Sequence, residues 1–200
     1  MKIAIETQRI FRPNKHGMDF VALETIRELQ KRDDGNEYYI IVAPGEDRCL
    51  EESTNLSIIE LKCPTYPLWE QVALPRVVKR LKVDLLHCTS NTAPLWCPVP
   101  LVLTLHDIIY LEPRQHRSPS LYQELGWHYR RIVVPHILKK CKKIITVSHF
   151  ECNRIRKALN ISTERITAIY NGYNTHFFPQ DKIDMRIVHQ YIPVSYTHLR

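Results

Sequence analysis

The sequence predicts an α/β fold in which helices cover both faces of a parallel sheet. Short apolar runs alternate with amphipathic stretches along the chain, which is typical of strands that alternate with helices. The central apolar runs, such as LVLTL at residues 101–105, are also nearly continuous. A strand with one face in water would alternate apolar and polar residues, so these strands are expected to be covered on both faces. With 200 residues the chain can form one domain with its own core, which we expect over residues 1–178.

The periodicity predicts seven strands and four helices. The strands are expected at residues 2–5, 38–42, 56–60, 85–87, 101–105, 143–147 and 166–170, and the helices at residues 18–31, 69–81, 121–140 and 149–159. Ser148 is expected to cap the last helix, and Glu151 would complete a capping box. Right-handed crossovers bring the carboxyl ends of all strands to one edge of the sheet, where ligands of such sheets bind.

Composition excludes several classes of protein. Apolar residues make up 44% and charged residues 24%, as in an ordinary globular protein. No window approaches the roughly 18 apolar residues that a membrane span needs. The first residues, MKIAIETQRI, turn polar at Glu6 and do not resemble a secretion signal. The six cysteines form no C-x-x-C pair, so we expect reduced thiols, no metal site and a cytoplasmic protein.

The net charge of +7 raises the question of an acidic partner. A nucleic-acid partner is not expected, because the basic helices lack the interleaved aromatic residues of a single-strand binder and no zinc finger is present. Two interpretations stay open: a solvated helix face, or peripheral docking to an anionic membrane, which would place the protein at its inner face. The basic residues concerned are Arg130, Arg131, Lys139, Lys140, Lys142 and Lys143.

The glycine pattern excludes the common phosphate-binding loops. Neither G-x-x-x-x-G-K-[ST] nor G-x-G-x-x-G occurs, which argues against a nucleotide kinase or a simple nicotinamide dehydrogenase. The candidate that remains is His16-Gly17, between the first strand and the first helix, where backbone could approach an anion closely. An ordinary strand-to-helix turn explains the same glycine equally well.

Polar residues follow several predicted strands, and His106-Asp107 is the sharpest case. This pair comes directly after residues 101–105, so it should emerge at the ligand-binding edge of the sheet. A structural alternative is that Asp107 caps the next segment while His106 bonds a loop carbonyl. Together, the polar strand ends suggest a pocket for a hydroxyl-rich ligand. The other residues at strand ends are Thr89, Ser90, Asn91, Ser148 and Asn171, the last of which could equally form an Asn-Gly turn.

Several of these segments, taken together, resemble the retaining family 4 glycosyltransferases. The matching segments are residues 144–151, residues 166–174 with Phe178-Pro179, residues 100–107 with Ser118-Pro119, and residues 83–87, where Val83 stands in place of the family's proline. They occur in the family's order and spacing over most of residues 1–179.

The resemblance implies the N-terminal half of a GT-B fold, in which two Rossmann-like domains face each other across a cleft. This half would bind the acceptor, a sugar or a lipid-linked acceptor, and the other half would bind a nucleotide-sugar as co-substrate, with no metal. His106, with Asp107, would serve catalysis by orienting and polarising. The Gly17 loop would face the donor's diphosphate, and Ser148, Glu151 and Asn171 would shape the floor of the cleft.

The sequence departs from the family in two places. The loop reads His16-Gly17-Met18, without the second small residue that many relatives carry. Residues 179–200 would be a linker and an aberrant tail, because SYTHLR at residues 195–200 resembles a translated sequencing adaptor. We therefore expect a truncated glycosyltransferase that is inactive without its donor domain. The alternative is a non-catalytic module that binds a glycan or glycolipid.

Overall fold

Seven parallel strands form one sheet in the computed structural model, which describes residues 1–112 and 121–172. All seven coincide with predicted strands, with ends that differ by at most two residues. They are β1 (Lys2–Glu6), β2 (Glu37–Val42), β3 (Leu56–Glu60), β4 (Leu85–Cys88), β5 (Leu101–Thr104), β6 (Lys143–Thr146) and β7 (Ile166–Ala168). The α/β prediction, with a Rossmann-like parallel sheet flanked by helices, is confirmed.

The strand order, β3-β2-β1-β4-β5-β6-β7, contains one change of direction. The chain runs from β1 outward through β2 to β3, and then returns to place β4 on the other side of β1. Ile3 accordingly pairs with Tyr38 on one side and with Leu85 on the other. A crevice forms where the strand order reverses, and ligands of open α/β sheets bind there. The carboxyl ends of β1, β4 and β5 therefore frame the candidate site.

The helices are α1 (Gly17–Gln30), α2 (Tyr66–Leu68), α3 (Leu74–Leu81), α4 (Leu121–Lys140) and α5 (His149–Leu159), with short 3₁₀ turns at Ile109–Leu111 and Thr163–Arg165. The bounds of α4 and α5 are those that the sequence predicts. Helix α1 begins one residue earlier than predicted, so Gly17 opens the helix instead of preceding it.

The helix predicted at residues 69–81 is wrong in its first turns. A π-helical segment, Trp69–Ala73, separates α2 from α3, and the Leu74 N–H bonds the Trp69 carbonyl five residues back. Pro75 follows directly, and without an N–H it cannot donate the bond that would continue an α-helical register. The wider turn buries both Trp69 and Glu70.

Half of the capping box predicted at α5 is present. The Ser148 hydroxyl accepts a hydrogen bond from the Glu151 N–H at 3.1 Å, so the N-cap is confirmed. The Glu151 carboxylate does not return to the backbone of Ser148. Instead, it accepts a hydrogen bond of 2.8 Å from Arg154, because a guanidinium is the stronger partner for a carboxylate.

Both faces of the sheet are covered by apolar side chains. Consecutive strand residues fall into different clusters: Ala4 and Ile41 pack with the residues of α3 and α4, whereas Ile5 and Ile40 pack with those of α1. This division follows from the two-residue period of a strand, which points neighbouring side chains to opposite faces. Helices on both faces explain why the strands read as continuous apolar runs.

Residues 1–170 form one compact unit, and residues 171–200 form a second unit in which only Asn171 and Gly172 are described. The domain boundary at residue 178, the tail at residues 179–200, and the motif residues Ser118, Pro119, Tyr173, Asn174, Phe178 and Pro179 lie outside the described residues and stay predictions. Within residues 1–112 and 121–172, no helix combines the length and the apolar character that a membrane span requires.

Candidate functional site

The ends of β4 and β5 bring three of the predicted site residues into direct contact. The backbone N–H of His106 donates to the Asn91 side-chain oxygen at 2.6 Å, and the His106 ring Nε2 lies 3.0 Å from the Thr89 carbonyl. Asn91 adopts φ of 65°, a left-handed conformation that asparagine tolerates better than most residues. The polar segment after β4 therefore orients the histidine that follows β5.

These contacts decide the protonation of His106. A carbonyl oxygen can only accept, so Nε2 carries the proton and donates, and Nδ1 of the neutral ring is left as an acceptor. Burial lowers the pKa of His106 below its ordinary value of 6.5, against the opposing effects of the Thr89 bond and the Asp107 charge. The ring is therefore neutral at pH 7.

Both interactions of the structural alternative also form. His106 bonds the Thr89 carbonyl, and the Asp107 carboxylate accepts a bond of 3.1 Å from the Ile109 N–H. The half-buried His106 ring lines a cavity of about 30 Å³ between α1 and the sheet, shared with His87, whose Nε2 lies 2.8 Å from the Thr104 hydroxyl. That volume is about the share of one water molecule in the liquid, so the cavity is too small for a sugar.

A larger cavity, of about 320 Å³, opens beside Asn91 and Asp107. Small-molecule sites begin at about 300 Å³, so it has the volume for one sugar ring. Three walls form it: the first turn of α1, the segments after β4 and β5, and the first half of α4. Its lining residues are Met18, Asn91, Asp107, Ile109, Tyr110, Glu112, Trp127 and Arg130. Asn91 and Asp107 were predicted as site residues, and the aromatic and basic residues were not.

The loop before α1 is held by ion pairs that the sequence did not reveal. Arg12 pairs with the buried Asp19, which also accepts a bond of 2.7 Å from the His16 N–H, and Lys15 pairs with Asp47. His16 and Gly17 themselves are exposed, and a Cβ at Gly17 would meet nothing within 4 Å. Packing within the chain therefore does not require this glycine.

The remaining predicted residues are less directly placed. Ser90 is half-buried beside Asn91. Ser148 and Glu151 form the hydrogen bond that caps the start of α5. Arg154 pairs with both Glu151 and Glu112, and Glu112 lines the 320 Å³ cavity. Asn171 is exposed and belongs to the unit of residues 171–200, so its part in the site stays a prediction.

Glu6, at the end of β1, is a buried carboxyl beside Thr89 that the sequence prediction missed. It is 1% exposed, its Oε1 accepts from the Gln8 N–H at 3.0 Å, and its carbonyl accepts from the Thr89 hydroxyl at 2.8 Å. Its other oxygen, Oε2, is buried without a hydrogen-bond partner among the described residues. Burial, assisted by the charge of Glu70, raises the pKa of Glu6 from 4.5 to about 7, although the Gln8 bond acts in the opposite direction. A glutamate at the end of a buried strand was the signal available in the sequence.

Glu70, in the π-helical turn, is fully buried among hydrogen-bond donors. The hydroxyls of Tyr66, Thr92 and Tyr129 and the side-chain amide of Gln71 all donate to its carboxylate. These donors satisfy the Glu70 carboxylate, whose charge adds to the burial that raises the pKa of the neighbouring Glu6. Across the described ranges, no three His, Cys, Asp or Glu side chains are grouped so that they could hold a metal ion.

Comparison with known proteins places the chain among the glycosyltransferases. Over 118 residues it is 32% identical to the O-antigen chain mannosyltransferase RfbU of Salmonella typhimurium, a match that covers 58% of this chain and 30% of that protein. Its fold is similar to that of Anabaena Alr3699/HepE in complex with UDP-glucose, with a TM-score of 0.55 and 18% identity over 87% of this chain and 44% of the other. A glycosyltransferase from Rickettsia africae is similar with a TM-score of 0.51 and 18% identity, over 94% of this chain and 48% of that one.

The chain spans less than half the length of each of these three proteins. At 18% identity the two structural similarities establish the fold alone. The family assignment comes from the sequence, because residues 16–177, which include α1 and the ends of β4, β5 and β6, match the family model described as Glycosyltransferase Family 4. The chain therefore belongs to glycosyltransferase family 4.

Proposed function

We propose that this chain is the N-terminal, acceptor-binding part of a retaining glycosyltransferase that uses a nucleotide-sugar and needs no metal. The observation that carries the proposal is the junction of β4 and β5, where Thr89 and Asn91 orient a neutral His106, and where Asn91 and Asp107 line a cavity of about 320 Å³. A polar cluster of this kind at the carboxyl edge of a parallel sheet is typical of a small-molecule site.

The relatives support the same proposal. RfbU is a mannosyltransferase, and the Anabaena structure contains UDP-glucose. Because this chain corresponds to less than half of either protein, we assign the binding of the nucleotide-sugar to a second domain. Charge stabilisation of the departing diphosphate is a large part of catalysis in such a reaction. The isolated 200-residue chain is accordingly expected to transfer no sugar.

His106 has the protonation needed to orient a substrate hydroxyl. With the proton on Nε2 held by the Thr89 carbonyl, Nδ1 can accept a hydrogen bond from a hydroxyl of the sugar or acceptor. Among the described residues, Nδ1 makes no hydrogen bond that would compete. Asn91 holds the backbone of the same residue, so the ring has a defined position before substrate arrives.

The proposal is tested by replacing His106 in the protein that carries both domains. His106→Ala should lower kcat by about 10²-fold, the cost of losing one preorganised polar group in an active site, with little change in melting temperature. Transfer should continue in EDTA. Because the pKa of His106 lies below 6.5, the acid limb of the wild-type kcat profile should also lie below pH 6.5.

The control is Lys157→Ala, because Lys157 is exposed on α5 and lines neither cavity, so turnover should equal that of the wild type. Normal turnover by His106→Ala would contradict the role given to His106. If the two-domain protein binds glycans but transfers no sugar from any nucleotide-sugar, the chain is a binding module and the proposal fails.

We further propose that α4 docks to an anionic membrane surface, which brings a lipid-linked acceptor within reach. Leu125 and Ile132 lie on its solvent side with 70% and 63% of their surface exposed. Together with His128, His136 and Lys139, they are spaced by three or four residues along one side of the helix. We call these five residues the outer stripe of α4. Exposed apolar residues beside basic residues are typical of an interfacial helix. Cysteines at all six positions are free, which fits a reducing compartment on the cytoplasmic side.

A further inference from the structure

Two charged side chains in the wall of the 320 Å³ cavity, Asp107 and Arg130, keep hydrogen-bonding capacity that the described residues do not use. The Tyr110 hydroxyl is buried without a partner among the described residues, and because it has almost no accessible surface it does not face the cavity.

Arg130 presents an unpaired positive charge to the same cavity. Within the described part of the chain it makes no ion pair or hydrogen bond, although Asp107 and Glu112 line the same cavity. Glu112 is taken by Arg154, and one oxygen of Asp107 holds the Ile109 N–H. The guanidinium therefore remains available to an anion, and the second Asp107 oxygen remains available to a hydroxyl.

The walls of the cavity differ in chemistry. Asp107 and Asn91 stand at the edge of the sheet, where they can accept and donate hydrogen bonds to sugar hydroxyls. Arg130 and Trp127 stand on α4, and Arg131 packs 4.5 Å from the Trp127 ring, which adds positive charge to that wall. A ligand that matches both walls has hydroxyls at one end and an anionic group at the other.

We infer that this cavity binds the acceptor through a sugar phosphate, with the phosphate at Arg130 and the sugar hydroxyls at Asp107 and Asn91. This inference rests on the proposed function, because it specifies the substrate class of the same site. A guanidinium binds phosphate through two parallel charge-assisted hydrogen bonds, which fits a selective role for Arg130. The phosphate could belong to a lipid-linked acceptor or to a soluble sugar phosphate.

Calorimetry on the 200-residue chain tests the inference without the donor domain. The probes are glucose 1-phosphate, its dodecyl phosphodiester, glucose and inorganic phosphate. Glucose 1-phosphate should bind more tightly than glucose or inorganic phosphate, and Arg130→Gln should weaken it by about tenfold or more. Tighter binding of the dodecyl ester would support a lipid-linked source, and equal binding would support a soluble one.

Two further variants separate ligand binding from folding. Arg80→Gln, on the exposed side of α3, removes the same charge and should bind the probes as the wild type does. Tyr110→Phe should bind the probes as the wild type does, with an equal or higher melting temperature, because it removes a buried, unpartnered hydroxyl that does not face the cavity.

Three results would overturn the inference. The first is equal affinity of Arg130→Gln and Arg80→Gln for glucose 1-phosphate, and the second is inorganic phosphate binding as tightly as glucose 1-phosphate. The third is a melting temperature that falls in Arg130→Gln but not in Arg80→Gln, because the arginine would then act in folding. If the two-domain protein transfers sugar while Arg130→Gln leaves the acceptor KM unchanged, the inference fails and the proposed function stands. If no transfer occurs but the sugar phosphate binds as described, the proposed function fails instead.

Discussion

Glu6 occupies the point where the strand order reverses, and its two oxygens have different surroundings. One accepts the Gln8 N–H and the other is buried without a partner among the described residues. A charge at Glu6 would be desolvated by its burial and repelled by the nearby carboxylate of Glu70, which is surrounded by donors. The protonated form of Glu6 is the one that this packing stabilises.

The first prediction concerns the pH dependence of Glu6→Gln. Burial raises the pKa of Glu6 from its ordinary value of 4.5 to about 7, so its contribution to stability is complete below pH 4.5 and is lost as the pH rises through 7. Glutamine mimics the protonated acid at every pH. Urea unfolding should therefore give similar free energies for variant and wild type at pH 4.5, and a variant more stable by about 3 kcal/mol at pH 8.5.

Glu46→Gln is the matched control, since Glu46 is exposed and far less constrained; its free energy of unfolding should follow that of the wild type across the same range. Parallel pH profiles for Glu6→Gln and the wild type would show that Glu6 is ionised in the fold.

At the level of elements, α4 depends on a residue that lies far from it in sequence. Arg165, in the 3₁₀ turn before β7, donates to the carbonyls of Leu138, Lys139 and Cys141 at 2.6, 3.2 and 2.7 Å. The last carbonyls of a helix have no partner within the helix and carry partial negative charge. Arg165 thus satisfies the end of α4 and connects it to β7.

The second prediction is that Arg165→Gln destabilises the chain by about 2 kcal/mol, the range for hydrogen bonds that involve a charged group. The comparison is Arg76→Gln, which removes an exposed charge from α3 and should change the free energy of unfolding by less than about 0.5 kcal/mol. Equal urea midpoints for the two variants would mean that the contacts at the end of α4 add nothing to stability.

A second element-level constraint lies in the loop after β2. A Cβ at Gly45 would come within 2.1 Å of the Phe11 carbonyl oxygen, because the backbone of this loop packs directly on the turn after β1. Two backbone bonds, from Ala43 to Gln8 and from Asp47 to Phe11, both of 3.0 Å, hold the two segments together.

The third prediction follows for Gly45→Ala. The added methyl must displace backbone, so overpacking should cost about 1–3 kcal/mol in thermal or urea unfolding. Gly17→Ala is the contrast: a Cβ there meets nothing within 4 Å, and its stability should equal or exceed that of the wild type. Equal stability of the two variants would contradict the close approach at Gly45.

At the scale of the whole molecule, several basic side chains make contacts within the chain that the sequence did not predict. Lys140 donates to the Leu95 carbonyl at 2.6 Å and Lys143 to the Glu164 carbonyl at 2.7 Å, while Arg131 packs on Trp127. Lys139 and Lys142 stay exposed. Basic residues alone are therefore a weaker argument for a membrane surface than their combination with Leu125 and Ile132.

The fourth prediction is that the 200-residue chain binds vesicles of phosphatidylcholine with phosphatidylglycerol and not vesicles of phosphatidylcholine alone. Sedimentation should show binding that weakens as salt rises from about 0.01 M to about 1 M, where the screening length falls from about 30 to about 3 Å. The double variant Leu125→Ser and Ile132→Ser should lose at least about tenfold in affinity, since it removes the inserted apolar surface.

Phe150→Ser is the control for this experiment, because Phe150 is 73% exposed on α5, outside the outer stripe of α4. If Phe150→Ser and the double variant lose affinity equally, the outer stripe of α4 is not the docking surface.

The sequence by itself determined the seven strands, the bounds of α4 and α5 and the polar pair after β5, because each depends on the periodicity or end signals of a short segment. The tertiary structure decided what those signals could not: the raised pKa of the buried Glu6, the π-helical turn that brings Glu70 inward, and a cavity whose walls come from α1, two loops and α4. Burial, pKa and ligand shape depend on groups that the fold brings together from far along the chain, as Gln71 and Tyr129 show by meeting across 58 positions. Local sequence patterns do not predict which distant residues will come into contact.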